Sequence, residues 1–178
     1  MSDKHQPGSS QIRFEGVFDW KDFYHGMVKW FKERKFEFYE EKNVRKPGTF
    51  GYEIEYEAKA VREETHYIKY TIEIKLHGWH MEDVEVIENG IKKQKNKTGM
   101  LVININPVVE LDWKEKFEDS KFKKKVRTLF HKHIISKTVE KWIDKLYYEC
   151  YLFQAQLRES LNLENKYNAY TPWYKKKY

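Results

Sequence analysis

Apolar and polar residues alternate from Gln11 to Phe18, with Ile12, Phe14, Gly16 and Phe18 on one parity and Arg13, Glu15 and Val17 on the other. A period of two over that length predicts a strand with one buried face. The period then changes. Behind Asp19, which is suited to capping a helix, Trp20, Phe23, Tyr24, Met27, Val28 and Phe31 recur at i, i+3, i+4 and i+7, the pattern of an amphipathic helix. Burying those side chains at about 2 kcal/mol each gives about 12 kcal/mol before chain entropy is subtracted, so this helix needs a sheet or a second helix to lie on.

Period two returns at Phe36 to Glu41. Beyond a Lys46-Pro47-Gly48 turn, Phe50, Tyr52, Ile54, Tyr56, Ala58 and Ala60 alternate with Glu53, Glu55, Glu57 and Lys59. After a polar turn through Arg62 to Thr65, Ile68, Tyr70, Ile72, Ile74 and Leu76 repeat the parity against Lys69, Thr71, Glu73 and Lys75. The two strands predict an antiparallel hairpin whose outward acids and lysines form a solvated face, because exposed cross-strand ion pairs contribute only tenths of a kcal/mol. Val84 and Val86 belong to a further strand, Asn89-Gly90 is a strong hairpin-turn signal, and Ile91 to Lys97 returns as a basic strand. Behind Thr98-Gly99, Leu101, Ile103, Ile105, Pro107, Val109, Leu111 and Trp113 alternate once more. Proline cannot donate to a ladder, so Pro107 requires an edge or a bulge.

From Asp119 or Ser120 the period becomes helical, first through Phe122, Val126, Leu129, Phe130 and Ile134, then through Val139, Ile143, Leu146, Cys150, Phe153, Leu157 and Leu161. The second helix is expected to end near Leu163, and Ser136 either caps it or lies inside one continuous helix. The expected fold is α+β: an antiparallel sheet meander of about six to seven strands, one helix after the first strand, and a long C-terminal helical segment packed on the sheet. Residues 1–10, with Pro7, Gly8, Ser9 and Ser10, read as a disordered leader, 11–164 as a single domain, and 165–178 as a basic aromatic tail.

That order of elements resembles the helix-grip fold of START and polyketide-cyclase-like proteins, with Asp19 to Lys35 in the place of the helical insert and Thr138 to Leu163 as the gripping helix. The likeness is one of topology over Gln11 to Leu163 and rests on no residue motif. The family has two short helices after its first strand where one is expected here, and a helix from Ser120 to Ile135 has no counterpart in it. The resemblance implies a cavity between sheet and helix for an apolar small molecule, lined by residues such as Tyr52, Tyr56, Tyr70 and Ile72. The same side chains could instead fill a solid core.

Composition narrows the class. The chain has 178 residues, 35% charged, 40% hydrophobic and 17% aromatic, which permits a packed core and excludes the profile of a disordered chain. No apolar run approaches the ~18 residues of a membrane span, and the polar start lacks a signal peptide's apolar stretch, so a cytoplasmic protein with no membrane span is expected. Cys150 is the sole cysteine, which excludes an internal disulfide and multi-cysteine metal sites, and its helical spacing with Leu146 and Phe153 marks it as a buried hydrophobe.

Candidate chemistry is sparse. His77 and His80 flank Gly78-Trp79, and His131 and His133 lie two apart in a helical stretch. Residues i and i+2 of a helix point about 200° apart, so no metal site and no cofactor are expected. No nucleophile elbow, phosphate loop or dinucleotide fingerprint is present, and the visible glutamates alternate outward, so a binding role is preferred over an enzymatic one. Charge gives the stronger lead: Met1 to Phe117 carry 20 Lys+Arg against 21 Asp+Glu, whereas Glu118 to Tyr178 carry 14 against 7. Lys121, Lys124, Lys125, Arg127 and Lys132 mark a helix, and Lys92, Lys93, Lys95 and Lys97 mark a hairpin. Lys166, Lys175, Lys176 and Lys177 are interleaved with Tyr170, Trp173 and Tyr174 in the tail. Cations that neutralise phosphates beside rings that stack on bases suit single-stranded RNA or a ribonucleoprotein. Ordinary solvation and packing of the tail on the domain are the competing readings, and self-association through the Val139 to Leu161 stripe or the tail is a third.

Overall fold

The computed structural model describes residues 3–111, 113 and 136–163. Within them, six strands form one antiparallel sheet: β1 (Asp3–His5), β2 (Ser10–Phe18), β3 (Glu37–Pro47), β4 (Tyr52–Glu63), β5 (Ile68–Glu88) and β6 (Ile91–Leu111). Two helices, α1 (Trp20–Glu33) and α2 (Ser136–Ser160), complete an α+β fold. No helix among the described residues is long and apolar enough to cross a membrane.

β3, β4, β5 and β6 form a meander, and β2 and β1 both pair with the remaining edge of β6. β2 runs from Ser10 opposite Ile105 to Phe18 opposite Asn96, and β1 from Asp3 opposite Leu111 to His5 opposite Val109. Asp3–His5 lies inside the stretch expected to be a disordered leader, yet it makes a short strand. Pro107 falls between these two pairings, the kind of edge position that its missing N–H requires.

Strands are longer than local signals predict. β5 and β6 remain paired past His77, Gly78 and Trp79, which read as a strand end, and close at Asn89-Gly90. Both turn residues have positive φ, 52° and 78°, as a tight primed turn demands. Thr98-Gly99 is not a turn. It lies opposite His80, which adopts φ 50°, and the Thr98 hydroxyl donates to the Trp79 carbonyl at 3.1 Å to hold the two strands together. A Cβ on Gly99 would lie 3.1 Å from the His80 ring, so the glycine accommodates the irregularity instead of reversing the chain.

Both helices pack on one face of the sheet. Asp19 caps α1, its carboxylate accepting from the amides of Lys21 and Asp22 at 2.9 and 3.0 Å. Of the predicted stripe α1 buries Phe23, Met27 and Phe31 and half-buries Trp20, Tyr24 and Val28; Trp30, outside that stripe, is buried as well. In α2 the stripe Val139, Leu146, Cys150, Phe153, Leu157 and Leu161 is buried against the same core, so this chain's own sheet occupies the face considered above for self-association. Phe153 joins the helices, 4.7 Å from Phe31 and 4.9 Å from Trp30 between ring centres. The exposed side of α2 carries Tyr147, Tyr148, Tyr151 and Leu152.

A largely buried arginine side chain fastens α2 to the sheet. Arg62, expected in a turn, is instead in β4 with its side chain only 13% exposed. Its guanidinium donates to both Glu149 oxygens at 2.9 and 3.0 Å, to Glu64, and to the Arg34 carbonyl at 2.8 Å. It also lies 4.2 Å over the Phe36 ring. Lys145 of α2 reaches the same Glu64 at 3.0 Å. Removing charged groups from water is unfavourable unless they are paired, and here β4, the turn after it and α2 supply partners for the two terminal nitrogens of Arg62, while its buried Nε has no hydrogen-bond partner among the described residues.

Candidate functional site

The basic residues singled out at the C-terminal end, Lys121, Lys124, Lys125, Arg127, Lys132, Lys166, Lys175, Lys176 and Lys177, lie outside the described residues, as do Tyr170, Trp173, Tyr174, His131 and His133. The hairpin lysines are described, and each faces a carboxylate: Lys92 meets Glu85 at 3.5 Å, Lys93 meets Glu88 at 3.2 Å, Lys95 also meets Glu88, and Lys97 meets Glu82 at 3.8 Å. The hairpin's field is therefore close to balanced. His77 stacks on Trp79 with ring centres 3.7 Å apart and contacts Glu53 at 3.3 Å. Among the described residues no three His, Cys, Asp or Glu side chains converge to hold a metal. Burial, and secondarily the Glu149 charge, pushes the Cys150 thiol up to about 12, which leaves it protonated and unreactive near neutrality.

Tyr52, Tyr56, Tyr70 and Ile72 all face inward, but they do different things. Ile72 is core. Tyr70 is fully engaged: its hydroxyl donates to the Trp142 carbonyl at 2.8 Å, clamping α2. Tyr52 and Tyr56 lie instead where the core meets an uncovered strip of the sheet's inner face. That strip belongs to β3. Glu40 is opposite Ala58, Asn43 opposite Tyr56 and Arg45 opposite Ile54, and directly opposed residues share a face. All three β3 side chains are exposed although their partners are buried, so no element among the described residues lies over this edge.

Two clusters occupy the strip. In the first, the Tyr52 hydroxyl donates to Asp83 at 2.7 Å, Asn96 donates to the same carboxylate at 2.8 Å, and Arg45 reaches its second oxygen at 3.0 Å. The Arg45 guanidinium also lies 3.3 Å over the Tyr52 ring. The Asn96 carbonyl accepts from the Trp20 amide at 3.3 Å, tying the start of α1 to β6. Hydrogen bonds from Tyr52 and Arg45 hold the Asp83 carboxyl below its ordinary range, while burial and then Asp83 raise Tyr52. Every group here has a partner, so the cluster reads as structural.

The second cluster is less satisfied. Trp20 and Tyr24 of α1 stand nearly perpendicular to the Tyr56 ring, at 80° and 89°, each with ring centres 6.0 Å away. Tyr56 is 0% exposed, and among the described residues its hydroxyl makes no hydrogen bond of ordinary geometry, although Glu40 and Tyr24 lie near enough to interact with it. Burial is the main reason its ionisation is pushed up, followed by the nearby Glu40 charge and Tyr24. Tyr24 is raised as well, by burial and then by Glu40. Both hydroxyls therefore stay neutral, able to donate one hydrogen bond and accept others. The Glu40 carboxylate receives the Asn43 amide at 3.3 Å and has no lysine or arginine partner among the described residues. Polar atoms left in this state beside rings form the most specific constellation in the described protein.

Sequence reasoning placed Tyr52 and Tyr56 on this face and missed Trp20, Tyr24, Glu40, Asn43, Arg45, Asp83 and Asn96 as site residues. One signal was available for Glu40, which shares parity with Phe36 and Phe38 and so belongs on the core face of β3. Comparison with protein-family models and with curated proteins finds no match.

Proposed function

We propose that the chain is a non-catalytic binding protein for a small organic molecule, held between α1 and the inner face of β3 and β4. The observation that carries this reading is the Tyr56 hydroxyl, wholly buried and without a hydrogen bond of ordinary geometry among the described residues, at the edge of a strip that no described element covers. Leaving such a group unsatisfied costs roughly 1–3 kcal/mol, a cost that a ligand atom in hydrogen-bond reach would remove. Trp20 and Tyr24 supply ring surface beside it, and Glu40 supplies a charged end. The resemblance to a helix-grip topology is consistent with the reading: β2 pairs with β6, and a long helix buries its apolar stripe against the core. The bound molecule is then amphiphilic instead of purely apolar, and it sits at the α1 side of the sheet, away from Tyr70 and Ile72.

A thermal-shift screen of fragments bearing neutral, acidic and basic ends tests this, since a ligand that binds only the folded state at 100 times its Kd adds about 2.7 kcal/mol. Expected are compounds that raise Tm in the native protein and lose most of that effect in Trp20→Ala. Hits indifferent to Trp20→Ala and Glu40→Gln would refute the site. Salt-sensitive RNA binding that loses about 3 from its salt slope on deletion of residues 165–178 would favour the basic tail instead.

A further inference from the structure

We infer that the end of the ligand recognised by this strip is an organic ammonium group, with Glu40 as its counter-ion and Trp20, Tyr24 and Tyr56 as its aromatic walls. The inference rests on the binding reading above and adds the chemical class.

Glu40 is unlike the acids on the opposite face of the same sheet. Glu55 meets Lys42 and Lys46, both at 2.6 Å, Glu57 meets Lys75 at 3.6 Å, and Glu53 meets His77 at 3.3 Å. Glu40 alone of this group points to the inner face, opposite Ala58, where the Asn43 amide and the nearby Tyr24 and Tyr56 hydroxyls interact with it but no cation among the described residues does. A carboxylate placed among rings and given no cation by the described residues is a receptor for one. The rings favour the same charge. Two aromatic groups set at 80° and 89° to a third enclose a corner, and ring quadrupoles attract cations to their faces. The Tyr56 hydroxyl oxygen can accept an N–H from a group that simultaneously donates to Glu40, which would give the hydroxyl a well-formed hydrogen bond and the carboxylate a cation.

Other ligand classes fit worse. An anion would be repelled by Glu40, and the β3 cation on the same face, Arg45, is already held by Asp83 at 3.0 Å and stacked on Tyr52. A neutral alcohol could serve Tyr56 but would leave the carboxylate without compensation for whatever water it displaced.

The test uses the full chain, 15N-labelled, titrated with phenethylamine, 2-phenylethanol and phenylacetate, which share a ring and differ in the charged end. Expected is binding of phenethylamine at least tenfold tighter than the alcohol, with NMR shifts at the Trp20 indole and around Tyr24 and Glu40. Phenylacetate should show no shifts there. Glu40→Gln should abolish the preference for the amine while leaving the spectrum of a folded protein. If the alcohol or acid binds at Trp20 as well as the amine does, or if Glu40→Gln leaves the preference intact, the ammonium assignment is overturned and the binding site survives. If none of the three shifts Trp20 or Tyr24, the site and the assignment fall together.

Discussion

Replacing Tyr56 by Phe should stabilise the ligand-free protein, the reverse of what deleting an atom from a packed core usually does. The hydroxyl is removed from water without a hydrogen bond in return, a state that costs roughly 1–3 kcal/mol. Part of that is recovered through the proximity of Glu40 and Tyr24, so the expected gain is about 1–2 kcal/mol, which for a chain of this size raises Tm by about 2–8 °C. The ring and its edge-to-face contacts with Trp20 and Tyr24 are retained, so no cavity opens. Tyr70→Phe is the matched control. It removes the same atom from an equally buried ring, but that hydroxyl bonds the Trp142 carbonyl at 2.8 Å, so it should destabilise by about 0.5–1.5 kcal/mol. Guanidinium unfolding followed by tryptophan fluorescence reads both, with unchanged m-values confirming that the compactness of the two states is preserved. A Tyr56→Phe midpoint below that of the native protein would show that the hydroxyl is satisfied and would remove the observation on which the binding site stands.

Further outcomes follow from other contacts. Arg62→Met should cost about 2–4 kcal/mol in the same assay because Glu64 and Glu149 lose their shared cation, and a double-mutant cycle with Glu149→Gln should show positive coupling. Asp83 is held below its ordinary value of 3.8 in the folded state, so it contributes stability above that pH and loses it as pH falls further. Midpoints measured between about pH 2 and 5 should therefore drop more steeply for the native protein than for Asp83→Asn, and parallel curves would contradict this. Gly51 has φ 74°, and a Cβ there would lie 2.2 Å from the Met81 carbonyl oxygen. Gly51→Ala should accordingly destabilise by about 2–4 kcal/mol. Gly90→Ala, with φ 78° but nothing within 4 Å, should cost only the backbone strain of about 1–2 kcal/mol.

Much of the scaffold is legible because its determinants are local. The α1 stripe, the β4 and β5 alternation and the Asn89-Gly90 turn each follow from a few neighbouring residues and were placed correctly. Thr98-Gly99 misleads for the converse reason: its chemistry is that of a turn, and only its partner across the sheet, His80 in a left-handed conformation, reveals its role. Arg62 looks solvated when read beside Glu63 and Glu64, since the Glu149 that buries it lies 87 positions away. On β3 the irregularity between Glu40 and Lys42 changes which parity faces inward, bringing Asn43 and Arg45 onto the core side, where simple alternation from Phe36 would not put them. The candidate site is assembled from such long-range and shifted positions, which is why only its two β4 tyrosines could be named from the sequence.

The placement of β2 beside β6 has a consequence for synthesis. Phe14 pairs with Leu101, so the strand that emerges early from the ribosome waits for about 90 further residues, or roughly 5–20 s at ordinary translation rates. β3, β4 and β5 can pair in order as they appear, each with the strand just made, while Ile12, Phe14 and Phe18 have no ladder partner. Only the alternation with Arg13 and Glu15 keeps one side of that waiting segment charged. The nascent chain is thus most open to mispairing before β6 is complete, and substitutions that remove those two charges should lower the yield of folded protein more than they change the stability of the molecule once formed.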